Sequence, residues 1–440
     1  MQAMKVLHVL DHSLPYLSAY SFRSLYLISQ QRQMGIVPVV LTAPSHESED
    51  EGCELLQGVQ HHRSRWPDFH YLPQPRFIPA LRHEAYIAAL TKRIIHVAQE
   101  CEADLIHAHS PAVNGLAARR AAKKLRKPWL YELRYYEQDA AVDSGQTTYY
   151  SLRYKFARWL EERTLRQADL AITTSTSMQK ELLARGFSSR KLLEVPEGID
   201  TRVFHPRPPD PDLIERHQLE GKTVIGFIGS FYKYEGLERL MTVMHYLLRE
   251  RRDIKLILAG TGEVEAYLRT RVPREWSDHF IFTGRIEQEE ILRYYSVIDI
   301  CVYPRLSTRM TELTTSIRPL EAMSMERAVI GSNVGGMAEL IRHNKTGFVV
   351  ETDDKVTLGA TISHLVRNPE ERRAIGKRAR AQIIRQRDWA NIALRYADIY
   401  QRVLSAKGAK LLKGIEAPAA ATQERQTWQE SQPSERHTEI

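Results

Sequence analysis

Three arginines, Arg305, Arg309 and Arg318, fall within fourteen residues and just ahead of a glutamate, Glu321. Guanidinium groups bind phosphate oxygens bidentately, so such a cluster at the end of a strand suits an anion. Pro319 sits where a helix would begin, a position that tolerates its missing N–H, and the pattern predicts a helix over 319–325 with Glu321 in its first turn. A carboxylate there, facing a cleft, can accept two hydroxyl hydrogen bonds, as a ribose offers. It could equally complement the positive end of the helix dipole. Gly335 and Gly336, ahead of a predicted helix over 337–342, can present backbone N–H groups to phosphate or sugar oxygens. Gly229, Ser230 and Lys233 share an earlier loop, G-S-F-Y-K-Y-E-G. His107 and His109 lie on one strand, D-L-I-H-A-H; they suggest a metal pair, but no nearby acid or histidine completes a coordination set.

These residues need a scaffold, and the sequence supplies two. Short apolar runs (KVLHVL, VPVVLT, DLIHAH, PWLYEL, DLAITTS) alternate with helix-length segments through the first 200 residues. The pattern restarts with TVIGFIG, IKLILAG, HFIFTG, IDICVYP and AVIGS, and a helix with Leu237, Leu240, Met241, Met244, Leu247 and Leu248 on one face. Uninterrupted apolar strands separated by helices predict parallel sheets covered on both faces, with ligands beyond the carboxyl ends of the strands. Four prolines between Asp200 and Asp212 mark the join. The expected division is 1–200, a Pro-rich linker over 201–220, a second domain over 221–388, a further helix over 389–405, and a disordered tail over 406–440, whose 417–440 stretch lacks apolar periodicity.

At 440 residues, 43% hydrophobic and 26% charged, the chain can bury two sizeable cores, which excludes a wholly disordered or collagen-like protein. A net charge of +8 is modest for this length and suits anionic small molecules or a membrane surface. Three scattered cysteines argue against a disulfide framework or zinc site. No segment approaches the roughly 20 apolar residues that span a bilayer. The segment Y-Y-S-L-R-Y-K-F-A-R-W-L-E-E-R-T-L-R (149–166) interleaves aromatics with Arg and Lys. It reads as an amphipathic helix of the first domain or as a contact for anionic lipid headgroups. No nucleic-acid motif is present.

The run P-L-E-A-M-S-M-E-R-A-V-I-G-S-N-V-G-G-M-A-E-L-I, followed by N-K-T-G-F-V-V, resembles the nucleotide-sugar half of family-4 retaining glycosyltransferases of GT-B fold. G-F-I-G-S-F-Y-K-Y-E-G-L-E-R-L and L-I-L-A-G-T-G match other donor-side signatures in the same order, and H-V-L-D-H-S-L-P-Y-L-S-A-Y-S-F-R occupies the acceptor-side loop. Within the family, I-H-A-H-S-P-A-V-N-G, E-Q-D-A-A-V-D and G-S-F-Y-K-Y-E-G-L look like the members associated with exosortase and exopolysaccharide gene systems. The resemblance covers about residues 4–405 and implies that the helix over 389–405 returns to the first domain. It departs where Ser230 and Glu235 replace an Arg and a Lys that usually grip the donor diphosphate, and where Ala19 replaces a glycine. It departs again at Glu312, which stands one residue further from Glu321 than the family's paired glutamates, with Leu313 at the usual position.

The resemblance implies a metal-independent, cofactor-free transfer of sugar from a nucleotide-sugar to a glycan or polyprenyl-linked acceptor hydroxyl, with retention. The setting implied is cytoplasmic, with peripheral contact at the inner face of the cell membrane. It makes His109, at the cleft edge against the transferred sugar, and Glu312 the catalytic candidates. The donor set is Gly229, Ser230, Lys233, Arg305, Arg309, Arg318, Glu321, Gly335 and Gly336. The acceptor set is His12, Ser18, Ala19, Tyr20 and Arg23. With the usual clamp missing, the arginines of the 305–318 loop are expected to replace it, Lys233 being the rival. The alternatives are a catalytically silent nucleotide-sugar-binding module or scaffold in a polysaccharide assembly complex, and a nucleotide-sugar epimerase on the same fold.

Overall fold

A computed structural model describes residues 3–16, 18–46, 51–65 and 79–406. The strands are β1 (Lys5–Leu10), β2 (Val37–Thr42), β3 (Cys53–Leu56), β4 (Val59–His62), β5 (Leu105–His109), β6 (Trp129–Leu133), β7 (Leu170–Thr173) and β8 (Leu192–Glu194), then β9 (Thr223–Ile228), β10 (Ile254–Ala259), β11 (Phe280–Gly284), β12 (Ile300–Tyr303), β13 (Ala328–Ser332) and β14 (Phe348–Val350). Between and after them run α1 (Ala19–Gln33), α2 (Pro79–Glu100), α3 (Ala112–Leu125), α4 (Glu137–Asp143), α5 (Leu152–Gln167), α6 (Thr176–Ala184), α7 (Pro211–His217), α8 (Leu237–Glu250), α9 (Glu265–Thr270), α10 (Gln288–Val297), α11 (Arg309–Leu313), α12 (Ile317–Ser324), α13 (Gly335–Ala338), α14 (Lys355–Arg367), α15 (Pro369–Arg387) and α16 (Trp389–Ala406).

The strands form two sheets, ordered β3-β4-β2-β1-β5-β6-β7-β8 and β11-β10-β9-β12-β13-β14. All pairings are parallel except that of the edge strand β3 with β4. The second sheet has the doubly wound order 3-2-1-4-5-6, which reverses between β9 and β12. Chains leaving the two strands at such a point diverge to opposite faces and leave a crevice at their carboxyl ends. The first sheet reverses likewise between β1 and β5. The loops after β1, β5, β9 and β12 are therefore the ones built to receive a ligand.

The apolar runs owe their buried state to helices on both faces. All six residues of β10 are buried, and α8 turns its predicted apolar stripe onto the second sheet, with all six stripe residues buried. The helix α16 buries Trp389, Ile392, Tyr396, Tyr400 and Val403 against Val6, Leu27, Leu105, Leu130 and Ile172 of the first domain.

Several boundaries differ from expectation for local reasons. The Pro-rich join contains α7, because Asp210 caps Leu213 N and Pro211 occupies a helix start where its ring is tolerated. Helix α12 starts at Ile317, so Pro319 lies inside its first turn and Glu321 in its second, not its first. The helix after Gly335 is one turn, Gly335–Ala338, rather than 337–342. The 417–440 tail lies outside the described residues.

Candidate functional site

A cleft of about 740 Å³ opens between the carboxyl ends of the two sheets. Its size falls in the range of small-molecule sites. Ser18, Tyr20, Arg23, Tyr26, Arg134, Tyr135 and Glu197 line it from the first domain. Gly229, Ser230, Glu235, Gly260, Arg285, Arg305, Thr315, Ser316, Arg318 and Glu321 line it from the second. The backbone of the loop after β9 is pressed against the loop after β10. A Cβ at Gly260 would sit 1.9 Å from the Gly229 carbonyl oxygen, so only glycine lets the two turns meet at the cleft wall.

Glu321 faces this space and is almost fully buried. Arg318 Nη1 donates to both of its oxygens (2.9 and 2.8 Å), and the Tyr295 hydroxyl donates to Oε2 (2.9 Å). Two lone pairs per oxygen leave acceptor capacity on Oε1. Ser316, the N-cap of α12, makes no side-chain capping bond, and Thr315, Ser316 and Ile317 line the cleft. The helix thus presents its positive end to the cavity.

Arg305 is buried and forked onto Glu235, with Nε and Nη2 at 3.1 and 2.8 Å from the two carboxylate oxygens. The loop charge expected to serve an anion is here spent on the residue that replaces the family's lysine. Removing one partner of such a pair strands a buried charge. Arg305→Ala should therefore destabilise the chain by about 3 kcal/mol, and Arg305→Met combined with Glu235→Leu should recover most of that loss. Denaturant unfolding of the three proteins checks the expectation.

Beneath the first-domain wall lies a buried polar cluster. Glu132 is fully buried and accepts from Arg23 Nε (3.0 Å), Arg134 Nε (3.0 Å) and the Tyr396 hydroxyl. Burial alone would push this carboxyl up, and the charges of Arg23 and Arg134 more than reverse it, holding it well below the usual range. The donors fix the histidine tautomers around it. Arg134 donates to His109 Nδ1 (2.9 Å), so His109 Nε2–H donates to His8 Nδ1 (3.1 Å), and His8 Nε2–H donates to Gln31 Oε1 (2.8 Å). Gln31 then donates to the Tyr400 hydroxyl (2.8 Å), which donates to His107 Nδ1 (2.9 Å). His107 Nε2 has no hydrogen-bond partner and stands 3.7 Å from Glu132 Oε2. Burial pushes His8 down to about 4, His109 down to about 3 with help from Arg134, and His107 well below its usual range.

This overturns the placement of His109 at the cleft edge. It is fully buried, with Arg134 bonded to it from the cleft side and Arg134 itself lying 4.1 Å over the Tyr20 ring. The structure also brings His8 to His107 and His109, with ring nitrogens within 4.8 Å of one another, close enough to ligate one cation. Five of the six ring nitrogens are already engaged in the hydrogen-bond chain.

The chain matches two family models, "Glycosyl transferase 4-like domain" over residues 20–198 and "Glycosyl transferases group 1" over residues 210–382. The chain carries the two domains of a GT-B glycosyltransferase. A GDP-mannose-dependent alpha-mannosyltransferase of Mycolicibacterium smegmatis is 25% identical over 408 residues, covering 92% of this chain and 100% of that protein. Among solved structures, HepE of Anabaena in complex with UDP superposes with a TM-score of 0.71 at 16% identity, and covers 91% of this chain and 100% of that one. Sucrose-phosphate synthase of Thermosynechococcus elongatus superposes with a TM-score of 0.69 at 19% identity, covering 92% and 100%.

In this glycosyltransferase Arg309 ties the two domains together, and Glu312, Gly335 and Gly336 brace one another beside it, none of the four lining the cleft. Arg309 bridges to the buried Asp139 (Nε to Oδ2, 2.8 Å) and to Glu181, both in the first domain, so it is not available to a donor. Thr308 donates to Asp143 (2.9 Å), and Ser175 donates to the Leu313 carbonyl (2.5 Å). Glu312 accepts from Ser307 (2.7 Å) and from Gly335 N (2.9 Å). The Gly335 N–H expected to face a ligand is therefore already satisfied, and Glu312 is a cap in this structure, away from the cleft. Gly335 is required there because a Cβ would meet the Glu312 carbonyl at 2.0 Å, and a Cβ at Gly336 would meet the Thr314 carbonyl at 2.3 Å.

Of the remaining acceptor-side residues, His12 is held by Asp11 (3.0 Å) and Ser18 (2.7 Å) behind Tyr20, and α1 starts at Ala19. Lys233 is exposed beyond the cleft rim. Sequence reasoning missed Arg134, Glu132 and Arg285. Arg285 lines the cleft, is exposed, and has no carboxylate partner among the described residues. An Arg directly after T-G at a strand end was the available signal.

Proposed function

We propose that this glycosyltransferase moves a glycosyl group from a nucleoside-diphosphate sugar to an acceptor hydroxyl with retention of configuration, in the synthesis of a cell-surface glycan. In this reading the bond from the anomeric carbon to the leaving phosphate oxygen breaks, and the acceptor oxygen bonds to that carbon on the same face. The acceptor proton passes to the phosphate oxygen, and the nucleoside diphosphate leaves. The chain's contribution is positioning and charge stabilisation. Glu321 holds ribose hydroxyls, the amino end of α12 and the free nitrogens of Arg318 meet the diphosphate, and Arg285 adds charge at the rim. Ser18, Tyr20 and the Arg23–Arg134 floor face the acceptor. The relatives' names support the donor class, since one depends on GDP-mannose and another was solved with UDP. Exopolysaccharide synthesis rests on the subgroup resemblance of the sequence motifs.

The observation that carries the reading is Glu321, an almost fully buried carboxylate turned into a cleft with acceptor capacity to spare. Glu321→Gln should weaken nucleoside diphosphate binding by about 10- to 100-fold, since a charged acceptor for hydroxyl donors contributes roughly 1.5–3 kcal/mol. Calorimetry with UDP and GDP measures it, and unchanged affinity removes Glu321 from the site. One observation favours a binding module without transfer, namely that Arg305, Arg309 and Arg318 are each already paired with a carboxylate. Release of nucleoside diphosphate from a nucleotide sugar separates the two readings.

A further inference from the structure

Helix α5 exposes apolar side chains that a helix of a water-surrounded domain ordinarily turns inward. Its inward side buries Tyr154, Glu161, Thr164 and Leu165. Its outward side carries Leu152, Phe156 and Trp159 at i, i+4 and i+7, with relative exposures of 84%, 49% and 50%. Tyr149 and Tyr150, just ahead of the helix, are exposed as well. The two aromatic rings stack at 5.8 Å, and Arg163, the next residue on the same stripe, covers the Trp159 ring at 5.2 Å. Burying Glu161, whose carboxyl desolvation raises to about 8, while leaving Phe and Trp in water runs against the usual partition of side chains. The orientation has a cost, and what recovers it is contact of the outward face with something apolar.

The charges say what that contact is. The helix holds five cations, Arg153, Lys155, Arg158, Arg163 and Arg166, against two acids. Glu161 is buried and Glu162 is paired with Arg158 and Arg185, so the exposed charge around the aromatic stripe is positive. A second copy of the chain on this face would bring the cations of one α5 against those of the other across a twofold axis, which is repulsive. A surface that is negative outside and apolar within suits both features. No helix among the described residues is long and apolar enough to cross a membrane, so the contact is peripheral. We propose that the outward face of α5, with Tyr149 and Tyr150, docks on the surface of a bilayer containing anionic lipid. Tyr154 donates to Asp139 (2.7 Å), which binds Arg309 at the start of α11, so the docked face stands beside the junction of the two domains.

Flotation of the full chain tests this with vesicles of phosphatidylcholine alone and of phosphatidylcholine with phosphatidylglycerol at about 7:3, where each basic residue near the surface adds to binding. The chain should float with the mixed vesicles and detach as salt is raised. Phe156→Ser with Trp159→Ser should lower the partition coefficient at least about tenfold by removing the inserted apolar surface. Arg153→Gln with Lys155→Gln should abolish the preference for the anionic vesicles. Because all four side chains are exposed, both variants should melt with the parent chain, which separates loss of docking from loss of fold. Failure of the parent chain to float with mixed vesicles, or flotation of the aromatic double variant at the parent's level, overturns the proposal. A parent dimer in solution that the aromatic variant splits would make the face a self-interface and overturn it equally.

Discussion

Arg318→Ala should lower glycosyl transfer by ~30- to 1000-fold, the effect of losing one charge-assisted contact to a developing phosphate charge. Arg318 is one-third exposed in the cleft, and its Nη1 alone carries the bonds to Glu321. The rest of the guanidinium faces the space beside the amino end of α12. Removing it also leaves Glu321 without its counter-charge next to an anionic donor, so repulsion adds to the lost attraction. Glu235 at the old lysine position is itself an acid and cannot compensate, and it holds Arg305 through both its oxygens. Lys233→Ala is the control: exposed and outside the cleft lining, it should keep a near-normal rate. Single-turnover rates for the two variants decide the point. Loss of transfer in Lys233→Ala with a near-normal Arg318→Ala would put the clamp in the loop after β9 instead.

Acidification from pH 7.5 to 5.5 should lower the melting temperature by ~10 °C, since a loss of 1 kcal/mol moves the midpoint of a domain this size by roughly 2–4 °C. The cause is the buried trio His8, His107 and His109, all at zero exposure. Their folded values lie below the ordinary imidazole value near 6.5, at about 4 for His8 and about 3 for His109. Over this window the unfolded chain binds protons that the folded chain refuses, so stability falls as pH falls below 6.5. Each neutral imidazole costs about 1.4 kcal/mol per pH unit once below that value; His46 and His61, pushed down to about 4, add to the trio, and the buried Glu161 carboxyl, raised to about 8, offsets part of the loss, leaving on the order of 4 kcal/mol by pH 5.5. A flat melting profile between the two pH values would mean that the imidazoles titrate freely and that the hydrogen-bond chain from Arg134 to His107 does not hold.

The doubly wound sheets were legible because an all-apolar run such as I-K-L-I-L-A has no use except between two covered faces, and the helix spacings around it leave no other fold class. The cleft-facing part of the site was legible wherever position along the chain fixes position on a strand end, as at Gly229, Ser230, Arg305 and Arg318. Partnership was not legible. Glu235 meets Arg305 from 70 residues away, and His8 meets His109 from 101 residues away. Sequence places each of these at a strand end without saying which neighbour spends its charge. Arg309 shows the same blindness across domains, since Asp139 and Glu181 belong to helices of the first domain. The direction of helix α5, a first-domain helix as expected, was not legible for a different reason. A stripe at i, i+4 and i+7 has the same spacing whether it faces the core or the solvent, and only the buried Glu161 and Thr164 opposite it reveal the direction.

The central claim, that the cleft takes a nucleotide sugar and activates it, is tested most directly by incubating the full chain with a panel of UDP-, GDP- and ADP-sugars. Binding follows from the thermal shift and turnover from the nucleoside diphosphate released. The expected result is one donor class that raises the melting temperature by mass action and is slowly hydrolysed without acceptor, with both effects weakened in Glu321→Gln. A panel in which no nucleotide sugar shifts the melting temperature or releases nucleoside diphosphate would contradict it.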